Sequence, residues 1–163
     1  MKRSYLLILL LFCLSPALVW AQGAWVVDPG EGVGAITVGM SSSAADTVLK
    51  ATRVFGGSRS PDLVEYGKNL VIQYEGNKAV LISLHANSIK TKSGTVVWTP
   101  YKGAKIGASW SKVASLLPAQ KLSHQLPTAK GHPREHYYAY SQLGIGFRVK
   151  GASIVQILSL IHI

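Results

Sequence analysis

Thiols, acidic side chains and long apolar runs are all scarce in this chain of 163 residues. The one cysteine, Cys13, lies near the amino terminus inside an apolar stretch. The body of the chain therefore has no thiol for a disulfide, a thiolate nucleophile or a cysteine zinc site. Asp and Glu number 7 against 17 Lys and Arg, and Glu135 is the sole acid after Glu75. So few acids, with five histidines, leave no evident nucleophile–base–acid triad. The apolar run Leu6 to Leu14 is too short to span a bilayer comfortably, which argues against a permanent anchor.

What is present begins with that run. "MKRSYLLILLLFCLSPALVWAQGAW" has a basic head at Lys2 and Arg3, an apolar centre broken by Pro16, and Val19-Trp20-Ala21 before a polar residue. This pattern predicts a signal peptide over residues 1–21, cleaved after Ala21, and hence a periplasmic or secreted protein. Phe12 before Cys13 is wrong for a lipoprotein box, so no lipid anchor is expected. With the leader removed the chain has no cysteine and depends on its core alone. That suits the bacterial envelope better than a disulfide-rich extracellular module. The length fits one compact domain or two small fused units.

Charge is unevenly distributed. Residues 22–86 carry 5 Lys/Arg against 6 Asp/Glu, a net of −1, whereas residues 87–163 carry 10 against Glu135 alone, a net of +9. For an exported protein the matching partners are lipid head groups, anionic envelope polymers or an acidic protein face, and not nucleic acid.

The two halves also resemble one another. "VGMSSSAADTVL" (Val38 to Leu49) aligns with "IGASWSKVASLL" (Ile106 to Leu117), and "YGKNLVIQYEGNKAVLI" (Tyr66 to Ile82) with "YSQLGIGFRVKGASIVQI" (Tyr140 to Ile157). Gly76 matches Gly151, Val80 matches Val155 and Ile82 matches Ile157 at a constant offset. The expected fold is α+β, two tandem repeats over residues 22–88 and 89–163. Each places a short helix on an antiparallel hairpin sheet. Ser41 to Ser43 and Ser109 are expected helix caps, with Trp110, Val113, Leu116 and Leu117 on the second helix's apolar face and Pro118 as its stop. Strands are expected at Leu63 to Tyr66, Leu70 to Tyr74, Ala79 to Leu84, Tyr137 to Tyr140, Ile145 to Val149 and Ser153 to Ile157.

The opening "ITVGMSSSAADTVLKA" resembles the Gly-Met-Ser/Thr helix start of small envelope proteins of the SmpA/OmlA type. The paired helix-and-sheet units are similar in outline to the repeats of β-lactamase inhibitor proteins. Ala108 stands where the pattern has Met. The resemblance implies a non-enzymatic envelope or binding protein without cofactor. Its alternative is an inhibitor of a secreted hydrolase, for which Glu65, Tyr66 and Tyr74 are the residues to test.

Motifs that promise chemistry mostly fail on context. "HPREH" (His132 to His136) fits an inverted zinc-peptidase pattern. Pro133 and the following "YYAY" speak against the helix it requires, and no acid remains downstream as third ligand. "GEGVGA" (Gly30 to Ala35) does not open a helix where a pyrophosphate would sit. "SWSK" (Ser109 to Lys112) and "KSG" (Lys92 to Gly94) occur in the wrong order for a penicillin-binding serine enzyme.

The binding pattern has more substance: Lys90, Lys92, Lys102, Lys105 and Lys112 surround Trp98, Tyr101 and Trp110, with Lys121, Lys130 and Arg134 following. Cations interleaved with aromatics suit an anionic, partly apolar partner. The candidate binding residues are Trp98, Tyr101, Lys102, Lys105, Lys112, Lys121, Lys130 and Arg134, with Trp110 read as core. The final "LSLIHI", residues 158–163, departs from the repeat offset. It also reads as a translated sequencing adapter, which would truncate the last strand.

Overall fold

The structure is a computed structural model that describes residues 25–50, 53–55, 62–92, 94–119, 122–126 and 134–160. Residues 1–24, which include the expected signal peptide, lie outside the described residues, as do Lys121, Lys130, His132 and the last three residues.

Alternation of branched apolar and polar residues makes strands of most of the chain. In order these are β1 (Trp25–Asp28), β2 (Gly32–Val33), β3 (Ile36–Thr37), helix α1 (Ser42–Leu49), β4 (Arg53–Phe55), β5 (Leu63–Tyr66), β6 (Leu70–Glu75), β7 (Lys78–Leu84), β8 (Ser88–Thr91) and β9 (Gly94–Thr99). Helix α2 (Trp110–Ala114), β10 (Leu122–Leu126), β11 (Glu135–Tyr140), β12 (Ile145–Lys150) and β13 (Ser153–Leu160) complete the chain. One sheet has five strands in the order β3-β2-β1-β9-β8; the other has eight, β10-β11-β12-β13-β7-β6-β5-β4.

This architecture overturns the α+β expectation. The fold is β-rich, with two sheets and, among the described residues, α-helices of only 8 and 5 residues and one 3-10 turn at Ser141–Leu143. The physical reason is length and capping. Ser41 caps α1 by accepting the Ala44 N–H, and Asn77 Oδ1 accepts from both the Ser42 N–H and its hydroxyl. At α2, Ser109 makes no side-chain capping bond and its Oγ lies 3.0 Å from Ser111 Oγ instead. The second helix stops at Ala114, leaving Leu116 56% exposed and Leu117 buried beyond its end. A single turn without a cap cannot cover a sheet face, so sheet packs against sheet. The segments before α1 and between the halves form the second sheet, with β1 pairing β9 in parallel (Trp25↔Trp98, Val26↔Thr99).

The eight-stranded sheet is centred on the antiparallel pairing of β7 with β13 (Leu84↔Ile157, Ile82↔Ser159). On either side lies a hairpin turning at a left-handed glycine, Gly76 or Gly151, with a register shift at Gln73/Tyr74 or Arg148/Val149. The same bonding motif docks the segment before each helix. Gly39 N donates to Ala79 O and Ala79 N to Met40 O; Gly107 N donates to Ile154 O and Ile154 N to Ala108 O.

The core face carries Val64, Tyr66, Leu70, Ile72, Tyr74, Ile82, Leu84, Ile145, Phe147 and Ile157. They form one buried cluster with Val27, Ile36 and Trp98 of the smaller sheet and Ala45 and Leu49 of α1. Among the described residues no helix is long and apolar enough to cross a membrane.

Candidate functional site

The chain leaving β9 enters a tight loop in which Tyr101 bridges Ala104 and Lys102 adopts a left-handed conformation, φ 46°. Asn87 fastens this loop: its Nδ2 donates to Ile106 O at 3.0 Å and its Oδ1 accepts from Ile106 N at 2.8 Å. Lys102 Nζ donates to Leu116 O at 3.1 Å and stands 5.6 Å from the centroid of the Tyr101 ring. Lys105 and Lys112 are exposed on the loop and on α2. Trp110, half-buried, stacks on Tyr138 at 4.4 Å and tilts against Phe147, so it holds α2 to β11 and β12.

Trp110 N donates to Ala152 O, and Gly151 N donates to Arg134 O, so the β12–β13 turn links exposed Arg134 to the start of α2. The loop and α2 therefore gather Tyr101, Lys102, Lys105 and Lys112, with Arg134 beyond the turn. Trp98 is a correction. It is only 6% exposed, its Nε1 donates to Ala86 O at 3.0 Å, and its ring tilts against Trp25 at 5.6 Å. Strand alternation turns Trp98 inward and Val97 outward, so Trp98 anchors the core instead of standing on the basic surface.

Glu135 decides the local electrostatics. Its carboxylate takes bonds from Arg148 and, at 3.3 Å, from Lys150. The Arg148 bonds hold the carboxyl below its ordinary range, more than burial raises it, with Lys150 assisting. Glu135 is thus an ion-pair acceptor at the start of β11, and His132 and Pro133 of "HPREH" lie outside the described residues. His136 is a strand residue stacked on Tyr138.

Sequence reasoning missed a polar cluster on the opposite face of the large sheet. Gln156 Nε2 donates to Ser83 Oγ at 2.6 Å, and His85 Nε2 lies 3.1 Å from that Oγ and 3.3 Å from Gln156 Nε2. Burial lowers the His85 pKa from its ordinary value, Glu65 opposing and Arg148 adding to the shift. A neutral imidazole accepting at Nε2 fits both neighbours. The Ser-x-His spacing places Ser83 and His85 on one strand face and was readable. Gln156 joins only through the β7–β13 pairing.

Tyr66 and Tyr74, named for the inhibitor reading, are also corrected. They point into the core at 0% and 3% exposure. Tyr66 donates to Asp46 Oδ1 at 2.6 Å, its oxygen lies 3.4 Å from that of Tyr74, and burial drives its phenol pKa far up. Of the three, only Glu65 faces away from the core. No protein-family model, curated protein or solved structure was found to match this chain.

Proposed function

We propose that this is a periplasmic or secreted, non-enzymatic binding protein of the bacterial envelope. Its basic surface at Tyr101, Lys102, Lys105, Lys112 and Arg134 engages an anionic surface or an acidic protein face. The carrying observation is that Glu135, the one acid of the basic half, is already shared by Arg148 and Lys150. Lys102, Lys105 and Lys112 are left exposed with no carboxylate paired to them among the described residues. Uncompensated cations of this kind steer and hold anionic partners, each contributing about 1 kcal/mol near an anionic surface at moderate salt.

The test is capture of partners from an envelope fraction across a salt series, with wild type beside K102E/K105E/K112E. The variant is expected to lose about tenfold or more in affinity and most of the salt dependence. Unchanged, salt-independent capture would end the reading.

A further inference from the structure

We infer that a second, separate basic pole, built by both halves of the chain, docks on a lipid bilayer bearing anionic head groups. The pole consists of Lys50, Lys68, Lys90 and Lys92, all exposed. They come from the end of α1, the β5–β6 turn, strand β8 and the β8–β9 turn, and hydrogen bonds join these segments. Lys92 N donates to Lys50 O at 3.2 Å, and Asn69 Nδ2 donates to Ser88 O at 3.0 Å. Gly67 sits so close to β8 that a Cβ there would meet Ile89 Cγ1 at 3.0 Å and Lys90 O at 3.5 Å. No ion pair among the described residues joins any of the four lysines to an acid.

Two independent observations lift this above a solvated surface. Two of the pole's four lysines adopt a left-handed backbone, Lys50 at φ 46° and Lys68 at φ 62°. Glycine or asparagine occupies such positions with less strain, so a lysine there retains charge against backbone preference. The second observation is apolar. Register pairs Lys90 with Thr95 and Ser88 with Val97, so Lys90 and Val97 project from the same outward face of the five-stranded sheet. Val97 is 61% exposed and Val26, on the neighbouring β1, is 48% exposed. An exposed lysine on one face with exposed valines matches a bilayer interface, where cations meet head groups and apolar side chains reach the acyl boundary. A soluble polyanion would leave the valines unused.

This inference shares with the proposed function only the exported compartment, and uses none of its residues. The test is co-sedimentation of the purified protein with vesicles. One set is phosphatidylcholine alone; the other is phosphatidylcholine and phosphatidylglycerol at about two to one. Wild type is expected to partition onto the anionic vesicles only, falling as salt rises. K50E/K68E/K90E/K92E is expected to lose at least about tenfold, and Val97→Ser about twofold to fivefold with the salt dependence unchanged.

K102E/K105E/K112E is run beside the quadruple variant: a larger loss in K102E/K105E/K112E than in the quadruple variant assigns vesicle binding to the proposed site and overturns this inference, which separates failure of this pole from failure of the proposed site. Where the quadruple variant does not fold by circular dichroism, K68Q/K90Q carries the same expectation at reduced size. Equal partition onto neutral vesicles, or unchanged partition of the reversed variant, overturns the inference. So does lysine-dependent binding of polyphosphate without any binding to vesicles.

Discussion

Ser159 places a hydroxyl on the core face of β13, between Ile145 and Ile82, at 2% exposure. Its Oγ has no hydrogen-bond partner among the described residues. A buried hydroxyl without a partner costs about 1–3 kcal/mol in desolvation. Ser159→Ala is therefore expected to stabilise the fold by about 1 kcal/mol, read as a higher denaturant midpoint at unchanged slope. A lowered midpoint would mean the hydroxyl has a partner after all. The residue is conspicuous only in the structure. In sequence, a serine among Leu158 and Leu160 is ordinary alternation, and its inward direction follows from pairing with Ile82 and Ile145, distant along the chain.

Between β11 and β12 one aromatic ring replaces a side chain on the neighbouring strand. A Cβ at Gly146 would meet Tyr137 Oη at 2.5 Å and its ring carbons at 2.9 Å, so the ring lies across the glycine. Gly146→Ala must displace that ring and is expected to cost about 1–3 kcal/mol. In a Tyr137→Ala background the cost should shrink toward the intrinsic Gly-to-Ala difference, and a double-mutant cycle by chemical denaturation measures the coupling. Full additivity would show that the contact carries no energy.

Much at the element scale was readable beforehand. Period-two alternation and the Gly76-Asn77 turn, both residues at positive φ, mark β6 and β7 as a hairpin, and Gly151 does the same for β12 and β13. The helical share was over-read. The apolar spacing from Trp110 to Leu117 imitates two turns, yet without a side-chain cap at Ser109 the helix ends at Ala114.

Over the whole molecule, both sheets and α1 contribute to one buried cluster, and the two halves meet strand to strand along β7 and β13. Such shared burial predicts a single cooperative unfolding transition. Far-ultraviolet and near-ultraviolet circular dichroism should give coincident thermal curves, and two separated transitions would contradict the shared core. The same tertiary arrangement redistributes charge. Read linearly, residues 22–86 are almost neutral and residues 87–163 strongly basic. Folded, Lys50 and Lys68 of the first half stand with Lys90 and Lys92 of the second, while Lys102, Lys105 and Lys112 gather apart around Tyr101 and α2.

By itself the sequence determined the net charge, the lack of thiols beyond Cys13, the alternating runs and the glycines at which they turn. All of these are local, set by composition or by neighbours a few residues away. Only the tertiary structure decided that Trp98, Tyr66 and Tyr74 face the core, that Gln156 completes a cluster with Ser83 and His85, and which lysines share a surface. Alternation places a side chain on one of two faces without saying which face is buried. That choice is made when strands some 75 positions apart pair, as Leu84 does with Ile157, and bury a common side.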